Sequence, residues 1–133
     1  MRVVVSLTTL PSRIQHIKPV LDSLKAQAVR PSAIYLIVPE FSLRESRGYD
    51  IPLFILEDPE LTIIRSEVDY GPATKLIPLL QVETRPETVI ITVDDDTWYP
   101  SSLLRDLAVA ANRLPNMAVG LTGYRLPPGG DGP

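Results

Sequence analysis

Val89-Ile90-Ile91-Thr92-Val93-Asp94-Asp95-Asp96, residues 89–96, is the stretch on which the fold turns. Five consecutive β-branched residues without alternation suit a strand buried on both faces, the situation of strands in a parallel sheet. In such sheets the ligand crevice lies at the carboxyl ends of the strands. Three carboxylates that follow the strand directly therefore stand at the crevice edge. They repel one another, and a cation offsets that repulsion; hard oxygen ligands favour Mg²⁺ or Mn²⁺. The alternative is an acidic turn that caps the next helix.

Outward from this stretch, similar runs occur at Arg2 to Thr8, Ala33 to Val38, Leu61 to Val68 and Met117 to Thr122, and helical patterns lie between them. Ser12 with Gln15 makes a capping box ahead of Ile14, Ile17, Leu21 and Leu24, so residues 13–27 are expected to be mostly helical. Pro19 leaves two options there, a kink or a turn followed by a helix that begins near Pro19. Pro78 leaves the same ambiguity in Pro72 to Val82. Ser101 to Leu114 places Leu104, Leu107, Ala108, Ala111 and Leu114 on one helical face. Residues 40–60 have no strong period and read as loop, with a short strand at Leu53 to Leu56. Strands that alternate with helices imply an α/β fold with a mostly parallel, Rossmann-like sheet between helical layers.

Two further clusters carry chemistry. Asp69-Tyr70-Gly71-Pro72-Ala73-Thr74-Lys75 joins a strand to a helix: Gly71 permits close backbone approach, the helix start offers free N–H groups, and Lys75 adds a positive charge. That is an anion site, and the same residues serve an ordinary strand-to-helix turn equally well. The Walker spacing is absent. The turn Ser6 to Arg13 offers hydroxyls and a guanidinium that suit a base and a phosphate, or a plain capping turn. His16 is expected at the surface, and Trp98 and Tyr99 are expected to pack in the core or at a hinge.

Thr8-Thr9-Leu10-Pro11-Ser12-Arg13, Gly71-Pro72-Ala73-Thr74-Lys75-Leu76 and Val93-Asp94-Asp95-Asp96-Thr97-Trp98-Tyr99-Pro100 together resemble, in order and spacing, the nucleotide-binding half of GT-A-fold glycosyltransferases of the family 2 kind. The resemblance spans residues 2–126. It implies an Asp-x-Asp motif at Asp94 and Asp96 that holds Mn²⁺ or Mg²⁺ against the donor diphosphate, with Asp95 as the alternative ligand if the register differs by one. It further implies that Thr8 and Arg13 line the nucleotide pocket and that Lys75 lies near the phosphates, with Asp69 and Gly71 in the same binding segment. Glu40 stands where relatives place an acidic base-reading residue. The implied ligand is a nucleoside-diphosphate sugar, a UDP-sugar foremost, and the acceptor a glycan. No residue here matches the family's catalytic base, which the acceptor-binding half usually provides.

Composition narrows the remaining classes. A chain of 133 residues, 44% hydrophobic and 22% charged, holds enough apolar surface for one core. A net charge of −3, spread along the chain, gives no basic stripe for nucleic acid. The absence of cysteine excludes disulfides and thiolate metal sites, and a reducing, cytoplasmic setting fits. No leader peptide and no run of about 20 apolar residues is present, so no membrane span is expected. Residues 1–126 form the expected domain, and the Pro/Gly-rich residues 127–133 read as a tail or linker; a fragment that lacks its C-terminal half, one domain of a larger enzyme and a degenerate relative are the alternatives. Self-association through the face left bare is a corresponding expectation. The competing functions are a non-catalytic nucleotide-sugar-binding module and a phosphatase with Asp94 as nucleophile. The phosphatase pattern wants Thr or Val where this chain has Trp98, and belongs after the first strand.

Overall fold

The structure, a computed structural model, describes residues 1–120. Four strands, β1 (Val3–Thr8), β2 (Ala33–Pro39), β3 (Leu61–Ser66) and β4 (Val89–Thr92), form one parallel sheet in the order β3-β2-β1-β4. The helices are α1 (Lys18–Lys25), α2 (Leu53–Leu56) and α3 (Leu103–Arg113), joined by 3₁₀ segments at Ile14–His16, Gly71–Lys75 and Pro78–Gln81.

Side chains that alternate along each strand face two different cores. Val3, Val5, Leu7, Leu36, Val38, Ile91 and Val93 pack with Leu21 and Leu24 of α1, Ile55 of α2 and Leu103 and Leu104 of α3. On the opposite face Val4, Tyr35 and Ile37 pack against Leu79. The connections β1–β2 and β2–β3 thus use one face, and the long connection β3–β4 uses the other. A right-handed crossover must change face when the direction of strand addition reverses. The reversal leaves a crevice between β1 and β4 at their carboxyl ends, the usual place for a ligand in such sheets.

The α/β class, the parallel sheet and its four strands agree with the sequence. The second outer layer is thinner than expected: Pro72 and Pro78, each near the start of its segment, hold residues 71–81 to two 3₁₀ turns, because proline lacks the N–H that a continuous helix needs. Residues 13–27 likewise divide into a 3₁₀ turn and α1, with Pro19 in the first turn of α1. Ser12 caps nothing; its hydroxyl donates to Glu45 Oε2 (2.5 Å) and its N–H to Glu45 Oε1 (2.9 Å). Leu53 to Leu56 form a helical turn, not a strand, started by Pro52 and burying Ile55. In the expected strand Met117 to Thr122, residues 117–120 carry no strand structure, and the remainder, with the tail 127–133, lies outside the described residues.

Leu76, Ile77, Leu80 and Val82 leave apolar surface in water. Among the described residues no helix is long and apolar enough to cross a membrane.

Candidate functional site

Four loops at the carboxyl ends of the strands enclose a cleft of about 290 Å³. Thr8, Thr9, Leu10 and Arg13 come from the turn after β1, Arg44 and Tyr49 from the loop after β2, Asp69, Gly71, Pro72 and Lys75 from the segment after β3, and Val93 to Asp96 from the end of β4. All eight residues singled out from the sequence, Thr8, Arg13, Asp69, Gly71, Lys75, Asp94, Asp95 and Asp96, line this one cleft although they are distributed over 89 positions of the chain.

The three adjacent aspartates differ sharply in environment. The Asp95 side chain is 9% exposed, whereas Asp94 and Asp96 are 65% and 63% exposed. Asp95 accepts from the buried Thr9 hydroxyl (2.6 Å) and from Arg13 Nη1 (3.1 Å), which binds the loop after β4 to the turn after β1. Asp94 holds Lys75 Nζ at 2.8 Å, and Asp96 lies 3.6 Å from Arg13 Nη1. The outer two carboxylates therefore face the open cleft while the middle one acts as a brace.

Other contacts fix the frame. Ser6, buried in the middle of β1, donates to the carbonyl of Lys75 (2.6 Å) and so anchors that lysine over the sheet. Asp69 accepts from the N–H groups of Leu43 (2.9 Å) and Gly71 (2.8 Å), and Gly71 takes a φ of 63°, where a glycine escapes the steric cost of a side chain. Thr8 reaches the cleft with its hydroxyl already donated to Ile37 O (2.7 Å). Beyond the aspartates, the N–H of Asp94 donates to the Tyr99 hydroxyl (2.8 Å), and buried Gln27 ties α1 to Pro100 O (2.8 Å) and to the N–H of Leu104 (3.0 Å). Burial raises the Tyr99 phenol above its ordinary range.

Two expectations fail here. Trp98 is 76% exposed and packs in no core, because its neighbour Tyr99 takes the inward position. Glu40 sits at the end of β2 but does not line the cleft; its N–H continues the β2–β3 pairing by donating to Ser66 O (2.8 Å). His16 is exposed, as expected. Arg44 and Tyr49 were not foreseen. Tyr49 donates its hydroxyl to Thr9 O (2.7 Å), and burial, reinforced by the charge of Asp69, pushes its phenol up to about 12. The signal available for both was two arginines and a tyrosine in a short loop after a strand whose carboxyl end faces the crevice.

The cleft carries three cationic side chains, Arg13, Arg44 and Lys75, against four carboxylates, a formal charge of −1. Among the described residues no three His, Cys, Asp or Glu side chains converge as a metal cage.

No protein-family model and no curated protein matches the chain. Two solved structures share its fold: residues 1–349 of S. aureus TarS, at 22% identity and a TM-score of 0.57 over 96% of this chain, and the same protein in complex with UDP, at 23% identity and 0.56 over 85%. The chain spans 38% of the first and 32% of the second. At that identity the likeness is one of fold.

Proposed function

We propose that this chain is the donor-binding part of a metal-dependent glycosyltransferase, which holds a nucleoside-diphosphate sugar through a divalent cation at Asp94 and Asp96. The observation that carries this reading is the division of labour within the aspartate run, with Asp95 buried and braced and Asp94 and Asp96 open to the cleft. A cleft of charge −1 repels a diphosphate, so a cation between the two offsets an otherwise unfavourable encounter. Asp94 and Asp96 would hold Mg²⁺ or Mn²⁺, hard cations that are commonly bound through one or two carboxylates together with substrate phosphates, without an all-protein cage. When bound, the ion neutralises charge that develops on the departing nucleoside diphosphate. Lys75, anchored by Ser6, supplies a second positive charge to the same phosphates, and Arg13 holds Asp95 and Asp96 in place. The TarS complex with UDP supports UDP as the nucleotide of choice.

Calorimetric titration with UDP tests the metal bridge, once with Mn²⁺ and once after chelation. Much weaker binding without the ion is expected, and equal affinity in both conditions removes Asp94 and Asp96 from that role.

A second reading, a module that binds nucleotide sugar without transferring it, draws on one specific observation. No described residue lining the cleft is a histidine or glutamate placed to deprotonate an acceptor hydroxyl. Transfer from a labelled UDP-sugar by the purified chain overturns the module reading, whereas binding with little or no transfer is the outcome expected of the module and of a donor-binding part tested alone.

A further inference from the structure

The loop after β2 contributes a cation that no described residue pairs with. Arg13 pairs with Asp95 and Asp96, Lys75 with Asp94, and Arg47 with Glu45. Arg44 lines the cleft, exposed, and makes no hydrogen bond or ion pair with any described residue.

Its backbone, by contrast, is clamped on both sides. The preceding N–H, of Leu43, donates to Asp69 in the segment after β3 (2.9 Å). The following residue, Glu45, takes both the N–H and the hydroxyl of Ser12 from the turn after β1, and its own N–H donates to the hydroxyl of buried Ser42 (3.2 Å). Ser42 and Arg47 close the loop as an antiparallel bridge, and Ser46 is held at a φ of 54°, a conformation that costs energy for a residue with a side chain. A free guanidinium on a backbone fixed from two directions is the arrangement expected of a ligand contact, since little entropy remains to be lost on binding.

The sheet indicates which part of a ligand Arg44 meets. Adjacent strands lie about 4.8 Å apart, so the cleft runs about 14 Å from the end of β4 to the end of β3. A diphosphate held at Asp94, Asp96 and Lys75 occupies the β4 end, and its nucleoside extends across β1 toward the loops after β2 and β3. Arg44 and Tyr49 stand there. A guanidinium only donates hydrogen bonds, in a planar fork whose two N–H groups can both meet one exocyclic carbonyl oxygen of a base, and an aromatic ring offers a face for stacking.

We propose that Arg44 is the base-reading residue of the cleft, its guanidinium donating to an exocyclic carbonyl oxygen of a uracil-type base seated beside the Tyr49 ring. This rests on the donor-binding reading for the placement of the diphosphate.

The test compares the unaltered chain with Arg44→Ala and Arg44→Lys, using uridine by ligand-observed NMR and UDP and ADP by calorimetry in Mn²⁺. For Arg44→Ala the affinities for uridine and UDP are expected to fall by the same factor, about tenfold or more, and the preference for UDP over ADP to shrink. Arg44→Lys keeps the charge but loses the fork, so it is expected to resemble Arg44→Ala toward uridine. The urea midpoints of both variants are expected to match that of the parent, because Arg44 has no partner among the described residues. Weakened UDP with unchanged uridine overturns the proposal and makes Arg44 a phosphate contact. Unchanged binding of both also overturns it, while the donor-binding reading stands. A parent chain that binds neither uridine nor UDP overturns both.

Discussion

Alanine substitutions at Asp94, Asp95 and Asp96 are expected to separate into two phenotypes despite their adjacency. Asp95→Ala removes the acceptor of the buried Thr9 hydroxyl (2.6 Å) and leaves that oxygen without its partner, a loss of about 1–3 kcal/mol. The ion pair with Arg13, whose side chain is 38% exposed, adds about 0–1 kcal/mol after solvent screening. A combined destabilisation of about 1–4 kcal/mol follows. For a chain of 133 residues, an unfolding entropy of about 2.1 cal/mol/K per residue converts this to a fall in Tm of roughly 4–14 °C. Asp94→Ala and Asp96→Ala delete exposed carboxylates from a cleft with excess negative charge and are expected to stay within about 0.5 kcal/mol of the parent. In Mn²⁺-dependent UDP binding the order reverses: the outer two variants lose it and Asp95→Ala retains it below its own Tm. Asp95→Asn, which keeps an acceptor for Thr9, is expected to lie between Asp95→Ala and the parent in stability. Scanning calorimetry and nucleotide titration on the same samples provide both readouts. If Asp95→Ala melts with Asp94→Ala and Asp96→Ala, the brace is not real and the three carboxylates share one role.

Lys75→Ala is expected to cost about 1.5–3 kcal/mol of UDP affinity, by loss of a charge-assisted contact, while circular dichroism shows an intact fold; an unchanged Kd in a folded variant takes Lys75 out of the site. At the amino end of the sheet, hydrogen bonds to Glu83 from Arg2 (2.6 Å) and from Tyr35 (2.5 Å) lower the Glu83 carboxyl from 4.5 to about 2. Because the folded value lies below the unfolded one, this cluster stabilises the protein fully above about pH 4.5, and the contribution is lost as pH falls toward 2. The urea midpoint of the parent is expected to drop across that window, and Glu83→Gln to flatten the drop; identical profiles refute the linkage.

What the sequence determined by itself is what short-range order encodes. Runs such as Val89 to Val93 are apolar on both faces, which only a covered parallel sheet satisfies, and a strand end carries whatever follows it to the crevice. The aspartate run, Lys75 and Arg13 were therefore legible as neighbours along one edge of the sheet, and the family resemblance joined them as one site. Prolines 19, 72 and 78 marked where helices start or break, although not how far each would shrink to a 3₁₀ turn. The tertiary structure decided everything that depends on a partner distant in the chain. Ser12 carries a capping signature, but Glu45, 33 positions away, takes both its N–H and its hydroxyl. Asp95 is indistinguishable from its neighbours until Thr9, 86 positions away, closes over it. Leu53 to Leu56 is too short for its periodicity to choose between strand and helix, and Pro52 with the buried place of Ile55 chose. Trp98 is apolar by composition, and only the inward turn of Tyr99 leaves it in water. Arg44 and Tyr49 sit in a loop without period, and their place in the cleft follows from contacts with Asp69, Ser12 and Thr9 that no local pattern records. Local propensity and strand-end position act over a few residues, whereas burial and pairing are properties of chain segments that meet only after folding.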